Sequence, residues 1–210
     1  MLKIIGLIFL LIMTDAGYGY DRITGKPFAS RSEVIGQNGM VATSHPLATQ
    51  IGLDILKKGG TAIDAAIAAN IALGLMEPTG NGIGGDLFAL VWDAESKKLH
   101  GLNASGPAPK DISIDYFRDN DLEKIPSYGP LPVTVPGAVD GWIKLHEKFG
   151  KLEFRTLFEP TIAYAKNGFP VTETIAYYLK NSQKRFEKYP NFNDLWVKNG
   201  SMPAKGEIFK

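Results

Sequence analysis

Residues 39–94 read GMVATSHPLATQIGLDILKKGGTAIDAAIAANIALGLMEPTGNGIGGDLFALVWDA, and the punctuation in that stretch decides the fold class. Gly39 to Ser44 is short, apolar and partly β-branched, which predicts a strand. His45-Pro46 breaks it. Apolar residues then recur at Leu47, Ile51, Leu53, Ile55 and Leu56, the pattern of an amphipathic helix over 47–58. Lys57 and Lys58 suit the negative end of that helix, and Gly59-Gly60 stop it. Thr61 is a good N-cap for a second helix, Ala62 to about Met76. Ala65, Ala66, Ala68, Ala69 and Ala72 dominate this helix, so neighbours can approach it closely on most sides and it is expected to be buried. Glu77-Pro78-Thr79-Gly80 end it. The glycine-rich turn 80–86 leads into Leu87 to Trp92, a continuous apolar run that predicts a strand buried on both faces. Helix, helix, turn and strand in this order predict an α/β (α+β) chain.

Working outward, Asp93 to Lys97 turns the chain and Lys98 to Leu102 reads as the antiparallel return. Asn103 to Pro109 is a loop. Asp111 to Ser127 is polar, with room for one short helix. Leu131 to Val135 predicts a short strand ending at Pro136-Gly137. Helices follow over 138–149, 154–166 and 172–184, the first stopped by Gly150 and the second by Asn167-Gly168. The tail from Asp194 to Lys210 is polar and rich in turn residues, with no stop signal of its own. Composition does not shift between Gly39 and Asn193, so no linker divides this region.

In the other direction, Met1-Leu2-Lys3 gives a positive start, IIGLIFLLIM (4–13) is an uncharged apolar run, and Ala16, Gly17 and Gly19 are small. That is the pattern of a secretory signal, with cleavage near Gly19. The run is too short to cross a bilayer core of about 30 Å as a helix. An uncleaved anchor or a buried N-terminal strand is the alternative reading. Residues 20–38 form a polar lead-in.

Composition narrows the chemistry. The 210 residues hold 23 Lys+Arg against 22 Asp+Glu, a net charge of +1. A globally basic nucleic-acid surface is excluded on that balance, as is an acidic tail. With 44% hydrophobic residues, a disordered chain is excluded too. There is no cysteine, hence no disulfide scaffold, no thiolate nucleophile and no cysteine-ligated metal. The three histidines, His45, His100 and His146, lack the i,i+4 spacing of a helical metal site.

The remaining motifs are weak taken singly. The glycine turn 80–85 follows a helix and precedes a strand, the reverse of a phosphate loop, so it reads as backbone that packs tightly or uses positive φ. Ser44, His45 and Asp54 could form a triad, but adjacent strand residues point to opposite faces, which favours a histidine bonded locally at the turn before Pro46. Asp64 and Asp86 could be paired carboxylates, yet a buried or capping role suits each better. Trp142, Phe154, Tyr164, Tyr177 and Tyr178 fall in predicted helices and read as core. None of these residues identifies a catalytic group.

Three stretches taken together carry more. They are residues 39–94, quoted above, then PVTVPGAVDGWIKLHEKFGKLEFRTLFEPTIAYAKNGFPVTE (132–173), then NGSMPAKGEIFK (199–210). They resemble the large-subunit half of the gamma-glutamyltransferases, also called gamma-glutamyltranspeptidases or glutathione hydrolases, over about Gly36 to Lys210. The resemblance implies an N-terminal nucleophile hydrolase fold, an αββα sandwich that is incomplete in this chain. It divides the chain into a signal peptide (1–19), a lead-in (20–38) and the N-terminal part of the large subunit (39–210).

In that family one precursor cuts itself in two, and the new N-terminal threonine attacks the amide with its own amine as base. A γ-glutamyl ester forms and passes to water or to an amine acceptor, with an oxyanion hole stabilising the tetrahedral intermediate. The resemblance places the nucleophile and the oxyanion hole in the C-terminal half, so no catalytic residue is assigned here and the chain alone is expected to be inactive. It implies no cofactor and no metal. The implied partners are a γ-glutamyl or acyl amide substrate and the small subunit of the same precursor, with no nucleic acid and no stable membrane span. The implied setting is the periplasm or cell exterior.

The family's large subunit carries an arginine in an Arg-Glu-x-Ala-Pro motif that pairs with the substrate α-carboxylate. Aligning on Ala108-Pro109 puts Ser105 at the arginine position and Gly106 at the glutamate position. By the resemblance, Asn103 and Ser105 are the substrate-binding candidates, in the string Asn103-Ala104-Ser105-Gly106-Pro107-Ala108-Pro109. That string, with Gly84-Gly85-Asp86, is closer to the family's divergent branch of acylases and amidohydrolases. Three readings follow: a γ-glutamyl amide enzyme, an acylase or amidohydrolase acting on a non-glutamyl acyl group, or a non-enzymatic remnant or binding module.

Overall fold

The computed structural model describes residues 34–210. The apolar run 4–13, the cleavage region near Gly19 and most of the lead-in lie outside the described residues. Gly36–Lys210 forms one compact unit.

Helix α1 spans Pro46–Lys57 and α2 spans Ala62–Met76. The Thr61 side chain accepts from the Asp64 N–H and the Asp64 carboxylate accepts from the Thr61 N–H, a complete capping box. Helix α2 is the hub of the core. Ala65, Ile67, Ala68, Ala69, Ile71, Ala72 and Met76 are all buried, and α1 packs along it with Ala48, Ile51 and Ile55. Small side chains keep the helix–helix distance short.

Strands β1 (Leu87–Asp93) and β2 (Lys98–Ala104) form an antiparallel hairpin, with Leu87 opposite Ala104 and Asp93 opposite Lys98. A short helix α3 (Ile114–Asp119) follows, then α4 (Ala138–Phe149). Trp142 on α4 is almost fully buried, and its indole N–H donates to Asn70 Oδ1 on α2 at 2.8 Å. Burying a side chain of this kind stabilises the fold by about 2–3 kcal/mol. A 3₁₀ turn (Phe154–Leu157), α5 (Glu159–Asn167), β3 (Phe169–Pro170), α6 (Glu173–Phe186), α7 (Phe192–Trp196) and β4 (Ile208–Phe209) complete the order.

Six expectations are corrected. Residues 39–44 and 131–135 form no strand, because neither finds a ladder partner among the described residues. Strand β1 is not buried on both faces. Leu87, Ala89 and Val91 are half-buried, but Phe88, Leu90 and Trp92 are exposed. The helix expected over 154–166 is split by Phe158, which closes the 3₁₀ turn before Glu159 opens α5, with Pro160 in its first turn. The tail is not merely turns, for it supplies α7 and pairs β4 with β3, Phe169 opposite Phe209. Finally, none of Gly80, Gly82, Gly84 and Gly85 has a positive φ, and a Cβ on Gly82 or Gly84 would meet nothing within 4 Å.

Candidate functional site

Strand β2 delivers Asn103 and Ala104 to the edge of a loop crossing. Asn103 Oδ1 accepts from the Ser105 N–H at 2.9 Å, an Asx turn that swings the chain off the strand. The Ser105 side chain is exposed. Gly106 lies directly against the backbone of Val135, where a Cβ would fall 1.4 Å from the Val135 carbonyl oxygen. The Val135 N–H in turn donates to Pro107 O at 3.0 Å. A Cβ on Gly137 would lie 2.1 Å from Ala104 O. No side chain is compatible with either approach.

The same crossing captures the glycine turn. The N–H groups of Gly137 and Ala138 donate to Gly85 O at 3.1 and 3.0 Å. Those donors belong to the first turn of α4, which has no side-chain cap, so Gly85 O satisfies groups the helix cannot. Next to it the Thr134 hydroxyl donates to Asp86 Oδ1 at 3.1 Å. Three segments, 80–86, 103–109 and 133–138, are therefore tied by backbone hydrogen bonds into one platform. Asn103, Ser105, Asp86 and Thr134 are polar side chains it carries, and a further one, Asn81, donates its amide to Asn70 O at 2.8 Å.

No arginine makes a hydrogen bond or ion pair with this platform among the described residues. Arg118 pairs with Asp115 at 3.2 Å, Arg155 sits in the 3₁₀ turn, and Arg185 lies over the Tyr128 ring at 4.8 Å. Arg22 and Arg31 lie outside the described residues.

The other sequence candidates are kept apart. Asp64 is fully buried and accepts from the N–H groups of Thr61, Lys151 and Leu152. Its work is to fasten the start of α2 to the end of α4, and it does not meet Asp86, which is exposed on the platform. The Ser44 hydroxyl donates to the Glu77 carboxylate. His45 is 1% exposed, and its Nδ1 accepts from the Leu47 N–H at 3.3 Å, capping α1. Asp54 is engaged with Gln50 and Lys57. No triad exists, and the locally bonded histidine is the reading that stands. Burial holds the His45 pKa below 6.5, against the nearby Glu77 carboxylate, which raises it. With Nδ1 accepting, the ring proton sits on Nε2, and that buried atom has no partner.

Sequence reasoning missed one further feature, a cavity of about 330 Å³ walled by aromatic rings from α6, α7 and the loop at Tyr128. The spacing of Phe192 and Trp196, one helical turn apart, was its only local signal.

The family model for gamma-glutamyltranspeptidase matches residues 48–210. The glutathione hydrolase proenzyme of Bacillus subtilis is 36% identical over 177 residues, which cover 82% of this chain and 30% of that protein. Among solved structures, the cephalosporin acylase of Bacillus halodurans matches with TM-score 0.82 and 46% identity, over 89% of this chain and 36% of that one. The Helicobacter pylori gamma-glutamyltranspeptidase matches with TM-score 0.79 and 31% identity, over 85% and 52%. The chain thus spans about a third of the length of the first curated relative. Its fold is the mixed α+β arrangement of the N-terminal nucleophile hydrolases, seen here in the part these residues carry. On the family match and these likenesses, the chain belongs to the gamma-glutamyltranspeptidase family, with its acylase branch among its relatives.

Proposed function

We propose that this chain is the acyl-binding, N-terminal part of an exported amide hydrolase or acyltransferase, made as a precursor whose C-terminal part supplies the nucleophile. The residues 1–19 act as the export signal. The observation that carries the acylase side of this reading is Ser105. It stands uncharged and exposed on the platform where the family resemblance puts a carboxylate-binding arginine, and among the described residues no arginine bonds to the loop. The 46% identity to a cephalosporin acylase supports the same reading.

In this reading the Asx turn at Asn103 and the backbone crossing at Gly106 hold the loop where the acyl group docks. Asn103 Nδ2 and the Ser105 hydroxyl offer neutral hydrogen bonds, which accept an acyl group without demanding a charge. A donor bearing an α-carboxylate gains no charge-assisted pair there, a loss of about 1.5–3 kcal/mol for each such bond.

The test uses the whole encoded protein and two p-nitroanilide donors, γ-glutamyl and its des-carboxy 4-aminobutyryl analogue. The expected result is little discrimination in kcat/KM. Ser105→Arg should raise kcat/KM for the γ-glutamyl donor by about tenfold or more, and leave the other donor unchanged. A strong preference of the unmodified protein for the γ-glutamyl donor would show that another group supplies the charge.

A further inference from the structure

The cavity between α6 and α7 is built differently from the platform. Ser182, Arg185 and Phe186 come from the last turns of α6, Phe192 and Trp196 from α7, and Tyr128 from the loop before residue 130. Its walls are held by ring contacts. Tyr128 meets Phe186 edge-on at 5.4 Å, Phe186 meets Phe192 at 5.8 Å, and Trp196 stacks on Phe209 at 5.2 Å with 9° between planes. These contacts fix the rings before any ligand arrives.

The Arg185 guanidinium sits 4.8 Å over the Tyr128 ring centroid. At that distance the cation is drawn to the ring face, and the guanidinium retains a fork of N–H donors suited to a planar acceptor. Among the described residues Arg185 has no carboxylate partner. Among the described residues no other cationic one lines the cavity. A single fixed positive charge suits a monoanion better than a phosphate, and aromatic walls favour a flat or bulky apolar body. The volume, about 330 Å³, falls in the range of small-molecule sites.

We propose that this cavity binds small carboxylates carrying an aromatic or bulky apolar group, of the kind typified by N-acylated aromatic amino acids. Arg185 takes the carboxylate, the rings of Phe186, Phe192 and Trp196 take the apolar body, and Ser182 offers a hydroxyl at the rim. The site does not depend on the catalytic reading, and it is measured without turnover.

The experiment is calorimetric titration of the whole encoded protein with N-acetyl-L-phenylalanine and with its carboxamide. The acid is expected to bind saturably and about tenfold or more tighter than the amide. In Arg185→Gln that ratio should fall to about one, and Arg185→Lys should give an intermediate ratio. Arg185 is exposed, so these variants are expected to melt with the parent protein. Photolabelling with a diazirine-bearing phenylpropionate should mark residues of α6 or α7. The proposal is overturned by absent saturation, by an acid-to-amide ratio that survives Arg185→Gln, or by a label confined to other elements.

Discussion

Gly106 shows how a single residue sets the site. Its missing side chain lets two loops cross at backbone contact, with any Cβ 1.4 Å from Val135 O. Overpacking a core usually costs about 1–3 kcal/mol, and here backbone rather than a flexible side chain must yield. Gly106→Ala is therefore expected to cost about 3 kcal/mol, read as a lower urea midpoint. An unchanged midpoint would mean that the crossing is not maintained in solution. His45 gives a second residue-scale expectation. Burial lowers its pKa below 6.5 while the neighbouring Glu77 opposes that shift. The unfolded chain therefore takes up a proton that the folded one resists. Stability is highest above about pH 6.5 and falls as the pH drops through and below it. Asn at position 45 keeps an oxygen to cap Leu47 N–H but cannot titrate. His45→Asn should thus flatten the urea midpoint between about pH 7 and 5, whereas a parallel decline in both proteins would assign the effect elsewhere.

At the scale of elements, the β1–β2 hairpin is the informative case. Leu87, Ala89 and Val91 turn toward the core, and Phe88, Leu90 and Trp92 turn away from it. Leu90 is 79% exposed. In the isolated chain Leu90→Lys should change stability by no more than about 0.5 kcal/mol, the usual size of a surface change. Leu87→Ala should cost about 2 kcal/mol, toward the low end for a buried leucine because Leu87 is only half-buried. Equal costs in the isolated chain would show that the outer face is covered. The hairpin also marks the border of what sequence discloses. Elements whose ends are written locally were legible to within a residue or two: the Thr61 capping box, the stop after Lys57, and α4 between Gly137 and Gly150. An apolar run such as 87–92 specifies a strand, but what covers each face comes from other segments. Residues 39–44 and 131–135 have strand composition and lack a ladder partner among the described residues. The β3–β4 pairing joins residues 40 positions apart (Phe169 and Phe209) and has no local signature. At the site, Asn103 and Ser105 were named from a motif alignment, whereas the crossing that holds them was invisible because it depends on backbone contact between distant loops.

For the whole molecule, the question is what the 210 residues can do unaided. The platform offers Asn103, Ser105, Asp86 and Thr134. Asp86 is bonded by Thr134 and Asn103 by the Ser105 N–H. The hydroxyl held by a carboxylate there is Thr134, on Asp86 Oδ1; among the described residues neither His45 nor Asp64 joins it, since the buried His45 spends Nδ1 on Leu47 N–H and Asp64 is consumed by backbone donors. An acyl transfer needs a hydroxyl or amine whose proton is taken as it attacks, together with donors for the oxyanion. Loss of the activated nucleophile removes most of the rate enhancement of such an enzyme, about six orders of magnitude in a well-measured protease. The isolated chain is accordingly expected to hydrolyse γ-glutamyl-p-nitroanilide no faster than buffer. On the reading proposed above, supplying the C-terminal part of the precursor in the same polypeptide should restore turnover, and replacing the threonine that the family resemblance puts at the new N-terminus should abolish it again. The decisive control is Ser105→Ala in the isolated chain. Any turnover by highly purified chain that this substitution removes would place a nucleophile on the platform and refute the division of labour between the two parts.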